Sequence, residues 1–222
     1  LTQARMDLEL QGALAALCHP LGLGLVGLCI GSFLNVVVHR LPRQMERQWW
    51  SEVGHQLGDE DSYRQVLAAD PPAEQATLSW RLLKALEALP PMGLARPRSR
   101  CPHCSHTIRA HENIPVLSWL LLRGRCSACQ ASIGLRYPLV EVGCGLLFAL
   151  IGWRFDAQPV ALLWCGFAAT LLAASLIDWD TTLLPDSLTL PLLWAGLVAA
   201  ALGWNLPLEQ ALWGVVIGYM SL

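Results

Sequence analysis

The residues with the clearest chemical potential are three aspartates that follow an uncharged apolar stretch. Asp178, Asp180 and Asp186 lie in the sequence SLIDWDTTLLPDSLTL, residues 175–190. A carboxylate at membrane depth is costly, and such groups usually line a polar cavity or a functional site. The cluster therefore predicts acid chemistry at the edge of an apolar segment.

The three aspartates have different expected roles. Asp178 is closest to the apolar stretch and is the candidate catalytic residue, its alternative being a solvated acid at a helix end. Asp180 lies two residues on, about 200° around a continuing helix, so it cannot face the same site. Asp186 follows Pro185 and is predicted to cap the next helix, because aspartate accepts hydrogen bonds from exposed backbone amides.

Four cysteines form a second chemical cluster. Cys101, Cys104, Cys126 and Cys129 make two C-x2-C pairs separated by 21 residues. Each pair on a tight turn presents two thiolates, and two such turns supply the four ligands of a closed tetrahedral zinc site. Redox C-x2-C chemistry is the alternative, but it fits two paired turns without a βαβ pattern poorly. A closed site has no open position for substrate, so this zinc would hold a loop together.

Other residues near these clusters receive less specific predictions. His103 and His106 lie beside the paired cysteines and could substitute as ligands, although four cysteines already fill the shell. Glu141 lies in an apolar segment, where it either does chemistry or forms an interfacial or inter-helix hydrogen bond. The remaining cysteines are predicted to be inert small hydrophobic side chains: Cys18, Cys29, Cys144 and Cys165.

Composition indicates that membrane-spanning helices position these clusters. Of 222 residues, 54% are hydrophobic and only 14% are charged, with a mean hydropathy of +0.43. A helix that spans about 30 Å of hydrocarbon needs roughly 20 mostly apolar residues. Apolar runs of about that length, or somewhat shorter, occupy residues 20–38, 138–153, 159–177, 188–202 and a stretch that opens near 208. The prediction is an all-α polytopic membrane protein with a cytoplasmic zinc-binding insertion between the first and second transmembrane helices.

The distribution of basic residues predicts the orientation. Only Arg5 and Arg154 of the 15 Lys and Arg residues lie outside residues 39–137, and basic residues favour the cytoplasmic side. We therefore expect transmembrane helix 1 at 12–38, a cytoplasmic domain at 39–137 with zinc knuckles at 101–129, and transmembrane helices 2–5 at 138–222. The loop with the three aspartates then faces the cytoplasm.

The cytoplasmic region contains a segment of mixed charge at residues 44–97. One stretch of it has helical spacing, with a shared apolar face made of Leu78, Leu82, Ala85, Leu86 and Leu89. The segment is predicted to be a solvated helical insert that packs on its neighbours.

Three functional classes remain open from the residues alone. They are an intramembrane hydrolase, a transporter with acidic relay residues, and a membrane-anchored zinc-binding module that recognises a partner without catalysis. A transporter would be expected to show acids on several spans and an internal repeat, which the sequence lacks. The net charge of −2 and the absence of a basic stripe with interleaved aromatics argue against nucleic-acid binding.

Three long motifs carry a resemblance to a known family. They are GSFLNVVVHRLP at 31–42, CPHCSHTIRAHENIPVLSWLLLRGRCSACQASIGLRYPLVE at 101–141 and LIDWDTTLLPDSLTLPLLW at 176–194. In order and spacing these segments resemble the prepilin peptidases, also called type IV leader peptidases. The resemblance covers nearly the whole chain except the insert at 44–97.

The resemblance implies an activity and its cofactors. Prepilin peptidases are multi-pass bacterial inner-membrane aspartic proteases that remove the leader from type IV prepilins and from type II secretion pseudopilins at the cytoplasmic face. Many also methylate the new N-terminus with S-adenosyl-L-methionine. The family's first catalytic aspartate corresponds to Asp178 and its zinc ligands to the four paired cysteines, while the GSFLNVVVHRLP segment is tied to substrate or methyl-transfer function.

One expected motif is missing from these 222 residues. The family's second catalytic aspartate lies in a Gly-x-Gly-Asp motif beyond the fifth span, and no such motif is present. An aspartic protease needs two carboxylates that share one proton. Since the fifth apolar run is still open at Leu222, and Met6 is a candidate initiator, the expectation is a truncated chain that is inactive alone.

Overall fold

The computed structural model describes residues 12, 14, 16–156 and 158–221. Within these residues the β pairing is limited to two isolated bridges, and the regular structure is helical. The helices are α1 (Pro20–Gly58), α2 (Glu60–Leu67), α3 (Gln75–Glu87), a 3₁₀ helix (Ala110–Asn113), α4 (Leu117–Leu121), α5 (Arg136–Arg154), α6 (Val160–Thr181), α7 (Asp186–Ala201) and α8 (Leu208–Met220). The mostly helical fold is as predicted. Met6 and residues 13 and 15 of the first expected span lie outside the described residues.

Three of the described helices are long and apolar enough to cross a membrane, namely α1, α5 and α6. They coincide with the first three predicted spans, although α1 runs for 39 residues and continues through Pro42, well past residue 38. The fourth run forms α7, which is apolar but only 16 residues long. The fifth forms α8, with 13 residues.

The chain divides into two compact units, one of residues 39–99 and one of residues 1–38 with 100–222. In the 39–99 unit, α3 packs closely on α1. The Ser79 hydroxyl donates to the Gly54 carbonyl at 2.7 Å, and a Cβ added at Gly54 would lie 2.7 Å from the Leu83 side chain. The absence of a side chain at Gly54 therefore permits the close approach of these two helices.

The buried face of α3 differs from the predicted apolar face. Its buried side chains are Gln75 and Ser79, whereas Leu78 is 55% exposed and Leu89 is 42% exposed. Gln75 donates to the Leu57 carbonyl at 2.9 Å, in the last turn of α1. The prediction was wrong at Leu78 and at Leu89, which lies beyond the end of α3. The helix turns Gln75 and Ser79 toward α1 because backbone carbonyls of α1 accept their hydrogen bonds, and buried polar side chains are stable when hydrogen-bonded.

In the other unit, glycines bring α1 and α5 into contact. A Cβ at Gly27 would lie 2.8 Å from the backbone of Cys144 and Gly145, and one at Gly31 would lie 2.7 Å from the Cα of Glu141. Small residues at such crossings let two membrane helices approach at backbone distance. Gly27 and Gly31 therefore permit the close packing of α1 on α5.

The core of this unit contains three of the cysteines predicted to be inert. Cys144 and Cys165 are buried with Phe148 and Ala173 where α5 and α6 pack, and Cys18 is fully buried. Cys29 is exposed on α1. The three buried thiols thus behave as small hydrophobic side chains.

Candidate catalytic carboxylates and metal centre

Helix α6 extends through both membrane-proximal aspartates and ends at Thr181. Thr182 closes it in the left-handed region, with φ of 54°, and its backbone N–H donates to the Asp178 carbonyl. Because the helix is continuous, the side chains of Asp178 and Asp180 leave it about 200° apart. The predicted separation of the two carboxylates is therefore confirmed.

Asp178 lines a cavity of about 200 Å³ between α6 and α7. The wall is mostly apolar, with Leu171 from α6 and Leu188 from α7, and hydroxyl groups come from Ser175 and Thr189. Within the described part of the chain, no group hydrogen-bonds the Asp178 carboxylate, and the residue is exposed. Asp178 is therefore a free acid beside a partly apolar cavity.

Asp180 is held in an ion pair on the other side of α6. Arg136, the first residue of α5, donates two hydrogen bonds to its carboxylate, at 2.8 and 2.7 Å. Such bidentate pairs are geometrically specific. The carboxylate of Asp180 therefore links α5 to α6 and is not free for proton transfer.

We expect Asp180→Asn to have a small effect. The Arg136 and Asp180 side chains are 48% and 28% exposed, so loss of the pair should cost up to about 1 kcal/mol of stability. Any activity of the full-length protein should fall less than about tenfold, which corresponds to 1.4 kcal/mol. Thermal unfolding of Arg136→Gln, Asp180→Asn and the double variant would measure the pair's coupling. A hundredfold loss of activity in Asp180→Asn alone would contradict a structural role.

Asp186 does not occupy the predicted capping position. It is itself the first residue of α7, Pro185 precedes the helix, and no side chain caps this helix end. The helix begins at Asp186 because the carbonyl of Pro185 accepts the N–H groups of Leu188 and Thr189, which makes Pro185 the N-cap. Asp186 therefore contributes a negative charge in the first turn. A negative charge there is favourable to the helix dipole.

Of the two predicted roles of Glu141, chemistry or a hydrogen bond, the structure shows a hydrogen bond, and its partner is a loop residue. The buried carboxylate of Glu141 in α5 accepts from the backbone N–H of Val116 at 2.7 Å. Val116 precedes α4 and has a φ of 60°, which is rare for a β-branched residue. Glu141 thereby holds the strained start of α4 against α5.

We expect Glu141→Ala to loosen α4 from α5. The change leaves the Val116 N–H without its acceptor and should cost about 1–3 kcal/mol. Glu141→Gln keeps an acceptor oxygen and should cost less. Limited proteolysis at residues 110–125 would compare the two variants, and equal protection in Glu141→Ala and wild type would show that the hydrogen bond holds nothing.

The four paired cysteines converge as predicted. Their sulfur atoms all lie within 4.8 Å of one another, with Cys101 and Cys129 at 3.8 Å and Cys104 and Cys126 at 4.0 Å. A tetrahedron with Zn–S bonds near 2.3 Å has edges of about 3.8 Å. The donor set and its spacing therefore fit a closed four-thiolate metal site.

The two cysteine turns have matching backbone geometry. The N–H of Cys101 donates to the His106 carbonyl, and that of Cys126 to the Ala131 carbonyl. Ser105 and Gln130 end the turns with φ of 58° and 60°. Backbone N–H groups of Cys104 and His103 lower the pKa of the Cys101 thiol to about 7. Thiolate is the ligand form of cysteine, so these N–H groups favour Cys101 as a ligand.

His106 is directed to a carboxylate. Its Nε2 lies 3.3 Å from the Glu112 carboxylate, which also accepts the backbone N–H of Arg109 at 2.8 Å. That N–H first, then the Ser127 hydroxyl and His106, lower the pKa of Glu112 to about 2. Glu112 therefore connects the first cysteine turn, through His106, to the 3₁₀ helix in which it lies. Neither His103 nor His106 belongs to the described metal-ligating cluster.

Sequence patterns did not identify three of the contacts that position these sites. They are the Asp180 pair with Arg136, the Glu141 contact with Val116, and a hydrogen bond from the Asn35 amide to the Tyr137 carbonyl at 3.1 Å. Asn35 lies in the GSFLNVVVHRLP motif and joins α1 to the start of α5. The sequence feature that could have indicated a contact at Asn35 is an amide side chain within an apolar run.

Comparison with known protein families identifies two matching models. The bacterial peptidase A24 N-terminal domain matches residues 25–155, and the type IV leader peptidase family matches residues 165–222. Together these matches include the candidate metal centre and Asp178.

Curated relatives agree with the family models. Proteins named prepilin leader peptidase/N-methyltransferase from Stutzerimonas stutzeri and Pseudomonas putida are 49% and 46% identical, each over 89% of this chain and 60% of their own length. The protein of that name from Pseudomonas aeruginosa is 46% identical over 92% of this chain and 63% of its own length. The chain thus spans about 60% of the length of these relatives. No solved structure matches it.

Proposed function

The chain belongs to the peptidase A24 family, the type IV leader peptidases, and on this premise we propose that it carries the chemistry of a membrane aspartic endopeptidase. The substrates are type IV prepilins and type II secretion pseudopilins, whose leader peptides it removes at the cytoplasmic face of the bacterial inner membrane. The relatives' name, prepilin leader peptidase/N-methyltransferase, supports prepilins as substrates.

The observation that carries the assignment of Asp178 is the contrast with Asp180. Asp180 is engaged by two hydrogen bonds from Arg136, whereas Asp178 lines the cavity between α6 and α7. A catalytic carboxylate must be able to reach water and substrate, and geometry is the first criterion. We therefore assign Asp178 as one of two catalytic aspartates.

The second carboxylate is assigned to a Gly-x-Gly-Asp motif that these 222 residues do not contain. In a pair that shares one proton, the ionised acid activates water and the neutral acid donates to the scissile carbonyl. The pair then titrates as a unit, with one proton retained near neutral pH. Asp178 without its partner is not expected to cleave.

The membrane arrangement completes the proposal. Transmembrane helix 1 lies within 12–38, the cytoplasmic domain within 39–137, and transmembrane helices 2–5 within 138–222. The arginines of the central region support this orientation. The prepilin's apolar helix would lie in the membrane, with its scissile bond near Asp178.

The four-cysteine centre is proposed to bind structural zinc. The four-sulfur geometry supports zinc, and the closed shell leaves no position for substrate. Its role would be to hold residues 100–134 in a fixed conformation beside the membrane helices.

Methyl transfer is proposed as a second activity because the relatives' names combine it with the peptidase. S-adenosyl-L-methionine would supply the methyl group to the amine that cleavage releases. No described residue is assigned to its binding.

Incubating a model prepilin with membranes that contain the full-length protein would test both activities. Mass spectrometry should show one cleavage at the leader junction, and added S-adenosyl-L-methionine should increase the product by one methyl group. An uncleaved prepilin, together with retained prepilin binding, would favour the alternative of a zinc-binding module that recognises a partner without catalysis.

A further inference from the structure

Helix α4 carries an apolar face that nothing in the described part of the chain covers. The face consists of Ile114, Leu117, Leu120 and Leu121, which are 44%, 50%, 59% and 74% exposed. Within α4, the Leu122 N–H donates to the Ser118 carbonyl and closes the helical turn, and the Ser118 N–H donates to the Ile114 carbonyl, which ties Ile114 to the start of the helix. At 100° per residue, the side chains of Leu117, Leu120 and Leu121 on α4 fall within an arc of about 100°, and Ile114 lies just before the helix.

The opposite side of α4 is fixed to the protein. The Trp119 indole N–H donates to the Ile133 carbonyl at 3.1 Å, and its ring packs against Gly124, whose φ is 65°. Any Cβ at Gly124 would lie 2.8 Å from that ring. The apolar face is therefore held in a set direction, away from the cysteine turns.

The position of α4 along α5 places this face at membrane depth. Glu141, which binds the Val116 N–H, lies five residues after Arg136, or about 7 Å into α5. Helix α5 has 19 residues and extends about 28 Å, barely the thickness of the hydrocarbon core. Since α5 has no length to spare, the residues around Glu141 must lie at the membrane boundary, and α4 with them.

Charge complementarity favours lipid as the occupant. Arg123 and Arg125 follow α4 directly and are exposed. They could therefore bind lipid phosphates while the leucines of the apolar face contact the acyl chains. Apolar side chains flanked by basic residues are typical of helices that lie in the membrane interface.

We propose that the α4 face of Ile114, Leu117, Leu120 and Leu121 inserts into the bilayer interface at the Arg136 end of α5. This insertion anchors the metal-binding segment to the membrane through lipid contacts as well as through the Glu141 hydrogen bond. The proposal depends on α5 spanning the membrane and is independent of catalysis.

A fluorescent amino acid incorporated at single positions would test the proposal in lipid nanodiscs that contain nitroxide-labelled lipid. The label at position 120, and in a second variant at position 121, should lose most of its fluorescence. The label in place of Leu146 on α5, which is 60% exposed, should lose its fluorescence as well. His103 in the first cysteine turn is also exposed and serves as the unquenched control, because the apolar face is directed away from the cysteine turns. Metal content verifies the fold of each variant.

Two results would overturn the proposal. One is quenching at positions 120 and 121 that is no greater than at position 103 while the label at position 146 is quenched. The other is fluorescence at positions 120 and 121 that is not quenched by nitroxide lipid but changes when prepilin is added, which would make the face a substrate-binding surface. Failure of prepilin cleavage in the same discs would not affect either result.

Discussion

Asp178→Asn should abolish prepilin cleavage by the full-length protein, with a rate loss of roughly 10³-fold or more. The amide keeps the shape of the carboxylate but cannot ionise, so it cannot activate water within a proton-sharing pair. General acid–base groups typically contribute about 10²–10⁴-fold to the rate, and the loss of Asp178 removes the proton-sharing pair itself. The measurement is a time course of leader release from a model prepilin in membranes.

The variant should otherwise resemble wild type. Asp178 is exposed, and its carboxylate has no hydrogen-bond partner among the described residues. Its replacement should therefore change the free energy of unfolding by less than about 0.5 kcal/mol. Metal content and prepilin binding should be retained. Cleavage within tenfold of wild type would remove Asp178 from the catalytic pair.

Replacing Cys101 and Cys129 together by serine should remove the bound zinc. Wild type is expected to contain one zinc per chain, and the double variant close to none, because half of the thiolate ligands are lost. Residues 100–134 should then become sensitive to protease, since metal binding and local folding are coupled in small sites of this kind. Elemental analysis and limited proteolysis provide the two readouts.

Cys29→Ser is the matched control for the cysteine variant. Cys29 is exposed on α1 and lies outside the four-sulfur cluster, so its replacement should leave zinc and protease resistance unchanged. Full zinc content in the Cys101 and Cys129 double variant would exclude the four-cysteine centre as the zinc site.

Local patterns predicted the parts of this molecule that depend on neighbours in sequence. Apolar runs located α1, α5 and α6 because the length of a membrane helix is set by bilayer thickness. The C-x2-C spacing located the sulfur cluster because each pair is formed within one turn. Helical periodicity separated Asp178 from Asp180.

Contacts between distant segments were not predictable in the same way. Arg136 and Asp180 are 44 residues apart, and nothing in either motif pairs them. Val116 and Glu141 meet through a residue with positive φ, which a β-branched side chain does not suggest. In α3, Ser79 is buried because it reaches the Gly54 carbonyl, an acceptor that a hydrophobicity pattern does not register.

The relative cleavage rates of Asp178→Asn and Asp180→Asn test the central claim most directly. Both variants of the full-length protein would be assayed in the same membranes, at matched zinc content, with one prepilin substrate. We predict that Asp180→Asn is at least about 100-fold faster, because only Asp178 faces the cavity as a free acid. Equal rates, or a faster Asp178→Asn, would contradict the assignment of Asp178 as the catalytic aspartate of this segment.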